Sequence, residues 1–250
     1  MILGFDIGNT TITVYSYGEG ILYQNYSLQT DKALPAEWYE AIFKTLFADK
    51  EITSCIISSV VKEITPLIAT TCEKLFGIPS VILDSDSNYG MEICVEEPQT
   101  VGVDRLVNAS VAKRDYKLPA IVIDIGTAIT FDVVSKEGNF IGGVIMPGLE
   151  TQMKSLNNNT SLLPKIEIED SVKAIGNSTK SAILSGVIRG TANGIKGLIK
   201  DCEKELGERP TVIATGGHAE ILAKYIGDEF DEINKDLMFN ALLWLHERNK

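Results

Sequence analysis

An apolar run ending in Asp, then Gly two residues on, then Thr-rich extended sequence: this pattern occurs twice in the chain. Ile2, Leu3 and Phe5 lead into Asp6-Ile7-Gly8-Asn9-Thr10, and Ile121, Val122 and Ile123 lead into Asp124-Ile125-Gly126-Thr127-Ala128, 118 positions later. A β-type run followed by a Gly that permits a turn reads as a hairpin. Two copies at this separation constrain the chain to two halves of like construction.

The rest of the sequence follows the same division. After the first hairpin, residues 21–28 read as a third strand, and Glu37 to Phe47 carries apolar pairs at helical spacing. Short β-rich runs at Cys55–Val61 and Ser80–Leu83 flank a helix over Ile64–Phe76, which Gly77 and Pro79 stop. A further helix starts near Asp104 and runs toward Lys113. The second half restarts with strands at Ala120–Ile125, Ile129–Val134 and Phe140–Ile145. Its main helix, Lys180 to Lys204, aligns Leu184, Val187, Ile188, Ala192, Ile195, Ile199 and Cys202 on one stripe. A β-run at Thr211–Ala214 and two C-terminal helices complete it. Asn157–Ser161 reads as an exposed turn or mobile loop. The charged residues and Pro between Asp115 and Pro119 mark the break, giving lobes over 1–117 and 118–250. So short a connector predicts two lobes facing each other across a ligand cleft.

Charge narrows the range of partners. A formal net charge of -11 disfavours a phosphate backbone or an anionic membrane, so neither nucleic acid nor membrane is expected. No apolar run approaches the ~18 residues of a membrane span, and nothing before the first strand resembles a signal peptide. The four cysteines show no metal or redox spacing, which fits reduced thiols in the cytoplasm. His218 and His246, the only histidines, are too few for a histidine metal site and read as structural or exposed.

The repeated turn has a chemistry of its own. Backbone N–H groups around a Gly turn form a concavity for phosphate oxygens, and Thr and Asn add donors. An Asp at the preceding strand end supplies a hard oxygen ligand for a hydrated divalent or an alkali cation. Each Asp could instead merely initiate its turn. Neither copy is a Walker loop or a dinucleotide fingerprint.

Taken in order, Asp6 to Thr10, Gly102-Val103-Asp104-Arg105, Asp124 to Asp132, Gly142-Gly143, Pro147-Gly148 and Thr215-Gly216-Gly217 resemble the type III pantothenate kinases. These belong to the superfamily of acetate and sugar kinases, Hsp70 and actin. The resemblance implies an α/β, duplicated ribonuclease H-like (actin-like ATPase) fold with two lobes around a nucleotide cleft. It also implies an ATP-dependent phosphotransferase with an alcohol acceptor, which converts pantothenate to 4'-phosphopantothenate at the start of coenzyme A biosynthesis. ATP, Mg2+ and a monovalent cation (K+ or NH4+) would be its cofactors, and a homodimer its assembly.

Residue roles carry over on the matching positions. Asp104 matches the catalytic base; read from the residues alone it serves equally as a helix N-cap. Gly102, Val103, Asp104 and Arg105 match the pantothenate-binding segment, although Arg105 alone reads as a surface Arg. Asp6, Ile7, Gly8, Asn9, Thr10, Thr11, Ile12 and Thr13 match the stretch around the ATP phosphates, with Asp6 holding magnesium through water. Thr127 matches an ATP contact and Asp124 the monovalent cation ligand. Thr215-Gly216-Gly217 resembles the loop near the adenine. Thr179 matches a substrate-binding Thr, or else caps the helix that follows. Where the family carries Tyr three residues before the Pro leading into Gly-x-Asp-Arg, this chain has Val95 before Pro98, and Tyr89 lies six residues earlier. That departure keeps open a kinase for another hydroxylated small molecule. A non-catalytic nucleotide-binding regulator is the third reading, against which Asp104 speaks.

Overall fold

The computed structural model describes residues 1–18 and 21–250. The chain forms two compact units, one of residues 1–111 with 236–250 and the other of residues 112–235. The first begins with strands β1 (Ile2–Ile7), β2 (Thr11–Gly18) and β3 (Ile21–Gln29). Helix α1 (Ala36–Phe47), strand β4 (Ser54–Ser59), helix α2 (Thr65–Phe76) and strand β5 (Ser80–Ile82) follow. Helix α3 (Val103–Asp115) carries the division between the units, between Val111 and Ala112.

The sheet order is β3-β2-β1-β4-β5, antiparallel across the first three strands and parallel from β1 through β4 to β5. Alternation along β1 sends Leu3, Phe5 and Ile7 into a core with Tyr39 and Phe43 of α1 and Ile68 and Cys72 of α2. The Phe5 and Phe43 rings meet at 5.5 Å. Pro66 stands in the first turn of α2, and Gly77, at φ 69°, closes that helix with its N–H on the Glu73 carbonyl.

The second unit repeats the plan. Strands β6 (Ala120–Ile125), β7 (Ala128–Val134) and β8 (Phe140–Pro147) form its meander. Helices α4 (Leu149–Asn158) and α5 (Thr179–Leu184) come next, and α5 passes through a π-helical turn, Ser185–Arg189, into α6 (Gly190–Leu206). Strand β9 (Thr211–Thr215), helix α7 (Ala219–Ile226) and strand β10 (Glu232–Ile233) complete it. The order β10-β9-β6-β7-β8 is the first sheet read backwards, with β6 where β1 stood and β9 where β4 stood. This is the duplicated ribonuclease H-like plan expected from the sequence. The predicted stripe also holds: Leu184, Val187, Ile188, Ala192, Ile195 and Ile199 are buried, with Cys202 packed against them. Residues 157–161 meet the expectation in part: Asn157 and Asn158 close α4, and 159–161 form an exposed turn after it, where Thr160 donates back to the Leu156 carbonyl at 2.8 Å.

Helix α8 (Leu237–Arg248) packs on β1 and β4 and so belongs to the first unit, although the sequence division at 117/118 put it with the second. Its attachment is long-range. The Tyr17 hydroxyl donates to the Phe239 carbonyl at 2.8 Å, the two rings stack at 4.6 Å, and a Cβ on Gly4 would stand 2.9 Å from the Tyr17 ring. Further along α8, His246 is fully buried, with Nε2 against the Ser54 hydroxyl and Nδ1 without a partner. Burial lowers its pKa from the ordinary 6.5; Lys250 adds to the lowering and Glu247 opposes it.

A histidine whose folded pKa is depressed contributes stability above its unfolded value, and that stability is lost as pH falls from about 6.5 toward the folded value. The wild type should therefore lose stability over this window by at most about 1.4 kcal/mol per pH unit, the limit for one proton. His246→Gln should lack that slope in denaturant titrations at pH 7, 6 and 5.

Candidate active site

The first hairpin turn is closed by backbone groups. The Gly8 N–H donates to the Thr11 carbonyl at 2.9 Å, and the Thr30 hydroxyl donates to the Gly8 carbonyl at 2.7 Å. The Thr30 N–H meets the Thr10 carbonyl at 2.9 Å, which fixes the end of β3 beneath the turn. Asn9, Thr10 and Thr11 are exposed, whereas Ile7 and Ile12 are core residues, so those two offer a ligand only their backbone. Asp6 stands in register with Thr13 of β2 on one side and Ser58 of β4 on the other.

The Gly-Val-Asp-Arg segment meets this region through the end of β4. Val60 donates its N–H to the Ile7 carbonyl at 3.1 Å. A Cβ on Gly102 would lie 3.7 Å from the Val60 side chain and only 2.5 Å from Asp104 Oδ1, so the carboxylate folds back over Gly102 and a side chain there would displace it. The Gly102 carbonyl accepts from the Arg105 and Leu106 N–H groups at 3.1 and 3.3 Å, which makes residue 102 the start of the helix. Asp104 thus lies inside the first turn of α3 and is not its cap. Its Oδ1 accepts from the Arg105 N–H at 2.9 Å. Burial raises its pKa from the usual 3.8, against the Arg105 backbone hydrogen bond and charge, which pull it down. Tyr89 is buried with its hydroxyl on the Asp84 carbonyl at 2.7 Å. Burial, then the Asp84 and Asp104 charges, push that phenol far up. Its polar atom is committed to the protein.

In the second unit the equivalent turn is crowded by backbone. Gly126 donates to the Ala128 carbonyl at 3.0 Å, while the Thr127 carbonyl accepts from the Gly148 N–H at 3.0 Å and the Thr151 hydroxyl at 2.7 Å. A Cβ on Gly148 would stand 2.1 Å from the Gly126 oxygen. Gly216, at φ +91°, lies so close that a Cβ would be 2.5 Å from Asp124 Oδ1. Asp124 is in register with Thr130 and Thr215, and the Thr127 side chain is exposed. Asp132, fully buried, accepts from the Thr130 hydroxyl at 3.3 Å.

Thr179 belongs to a different part of this unit. The cap of α5 is Ser178, whose hydroxyl accepts from the Ser181 N–H at 3.2 Å in a reciprocal capping box. Thr179 is relieved of capping and lines a cavity of about 860 Å³ with Thr151, Gln152, Leu156, Ile183 and Val187. A second cavity of about 630 Å³ lies beside α4 and α7 and is lined by Lys154, Lys165, Ile166, Ile168 and His218. His218, next after the Thr215-Gly216-Gly217 loop, is mostly buried with Nε2 3.9 Å from Glu150. Sequence reading had given it no role, and its position directly after that loop is the signal that marks it. No group of three or more His, Cys, Asp or Glu among the described residues could hold a metal. A cation at Asp6 or Asp124 would therefore draw its other ligands from water, backbone or a bound phosphate.

Each unit thus carries a glycine turn after an Asp at the end of its first strand, and the first unit adds a partly buried carboxylate at the start of α3. Similar chains include a type III pantothenate kinase from Persephonella marina, 38% identical over 238 residues covering 93% of this chain and 92% of the relative. Solved structures extend the likeness to the fold. One described as a Baf family transcriptional activator from Campylobacter jejuni is 20% identical, with a TM-score of 0.62 over 99% of this chain and 98% of that one. A ROK family glucokinase from Streptomyces griseus is 14% identical, with a TM-score of 0.57 over 98% and 99%. The model of the type III pantothenate kinase family matches residues 2–201, across both glycine turns and the Gly-Val-Asp-Arg segment, and the chain belongs to that family.

Proposed function

We propose that this chain is a pantothenate kinase: it transfers the terminal phosphoryl group of ATP to the primary hydroxyl of pantothenate, giving 4'-phosphopantothenate for coenzyme A biosynthesis. The observation that carries the reading is Asp104, a carboxylate partly removed from water at the start of α3, with its pKa raised toward that of a useful base. Family membership supplies the substrates.

In the transfer, the substrate oxygen attacks phosphorus as the bond to the leaving ADP oxygen breaks, and Asp104 Oδ orients the hydroxyl and takes its proton. Backbone N–H groups of residues 8–13 and the exposed Thr10 and Thr11 hydroxyls hold the phosphates. Thr127 adds a hydroxyl to the nucleotide, and the cavity at His218 takes its base. Gly102, Val103, Arg105 and Thr179 hold pantothenate, Arg105 through a charge-assisted hydrogen bond. Asp6 holds magnesium through water and Asp124 a monovalent cation; their chemistry is to neutralise phosphate charge in a protein of net charge -11. A homodimer is the assembly that goes with this reading. The setting is the cytoplasm, where thiols such as the exposed Cys94 stay reduced. No helix of the described residues is long and apolar enough to cross a membrane.

Measurements on Asp104 test these roles. Asp104→Asn should lower turnover by about 10² to 10⁴ while nucleotide affinity barely changes. An acid with a raised folded pKa binds more protons folded than unfolded between its two pKa values, so its charge weakens the fold above that window. Asp104→Asn should accordingly melt at or above the wild-type temperature at pH 7. The acid limb of wild-type kcat/KM should fall above the ordinary aspartate value of 3.8. Near-full turnover in the variant would remove Asp104 as the base and make Asp132 the next carboxylate to test.

The cation is tested separately. Replacing sodium with potassium or ammonium at fixed ionic strength should raise the rate, and Asp124→Ala should abolish that response. Equal wild-type rates in sodium and potassium would contradict the assignment.

A further inference from the structure

Ser58 is the one residue in register with Asp6 on β4, the strand parallel to β1. Register partners on a pleated sheet project to the same face, so the hydroxyl neighbours the Asp6 carboxylate. Ser58 is fully buried and its Oγ has no hydrogen-bond partner. A buried hydroxyl left unsatisfied weakens a fold, and native proteins hold few of them. An Ala or Val would suit this all-buried stretch of β4 better on packing grounds alone. The backbone just beyond is tied down at both ends of the site, because Val60 bonds to the Ile7 carbonyl and packs beside Gly102. A hydroxyl on a backbone held this firmly, on the same sheet face as Asp6, is placed to reach that carboxylate.

Resting on the kinase reading above, we propose that Ser58 is a positioning residue for the divalent cation: its hydroxyl donates to the Asp6 carboxylate when that group turns to hold the hydrated ion. Hydrogen bonds to metal-binding carboxylates commonly set metal affinity in this way. Ser58 touches neither pantothenate nor the transferred phosphoryl group.

The test is ADP binding by calorimetry, across a magnesium titration and again in EDTA, on wild type, Ser58→Ala and Ser58→Thr. Ser58→Ala should raise the magnesium concentration for half-maximal tightening of ADP binding by roughly 10-fold or more, with metal-free ADP affinity unchanged. Its melting temperature without ligand should equal or exceed that of wild type, because the orphaned hydroxyl is gone. Ser58→Thr, which keeps the donor, should restore the magnesium response; should its extra methyl prevent folding, the Ala variant decides alone. An unchanged magnesium requirement in Ser58→Ala, or an equal loss of ADP affinity with and without metal, would overturn the proposal. A wild type that binds no nucleotide would overturn the kinase reading, and this inference with it.

Discussion

The parallel pairing of β1 with β4, Ile2 with Ser54 through Ile7 with Ser59, is the interaction on which the first half of this enzyme depends. It makes the carboxyl ends of two central strands neighbours, and in open α/β sheets that edge is where ligands bind. Asp6, Ser58, the Gly8 turn and, through Val60, the Gly102 to Asp104 segment all gather there. The sheet face that carries Gly4 is covered by α8, through Tyr17 and Gly4 and, at the start of β4, through His246 against Ser54. The second sheet repeats the device with β6 and β9, where Asp124 and Thr215 are the register partners.

Electrostatics explain why the site is built from backbone and carboxylates. A chain with 34 acidic and 23 basic residues cannot draw phosphates in by its overall field. Phosphate charge would have to be met locally, as the proposed function has it, by N–H groups at glycine turns and by cations. The same logic applies to Asp104. Burial that raises its pKa makes it a better proton acceptor near neutral pH and a poorer contributor to stability. Gly102 serves that compromise by leaving room for the carboxylate beside its own backbone.

The duplication was legible because both Asp-Ile-Gly turns and most strands are local patterns, in which apolar alternation and a glycine suffice. The stripe from Leu184 to Cys202 was legible for the same reason. What escaped reading is what distant residues determine. The sequence order of α8 could not reveal that Phe239 would stack on Tyr17, more than two hundred residues away. Ser58 lies in an ordinary β-run and acquires meaning only through its register with Asp6. The capping alternative at Asp104 and Thr179 is decided only by the backbone, because Gly102 and Ser178 begin the two helices. Val95 and Tyr89 remain the point where this chain departs from its family's pattern, and the buried, committed Tyr89 hydroxyl means that any contribution there comes from its ring.

The measurement that bears most directly on this account is phosphorus NMR of the purified protein with ATP, magnesium, potassium and pantothenate, with pantetheine and a sugar panel as alternative acceptors. The account predicts one equivalent of 4'-phosphopantothenate for each ATP converted to ADP, with pantothenate preferred over every other acceptor. ATP turnover without that product, or faster phosphorylation of a sugar than of pantothenate, would contradict it.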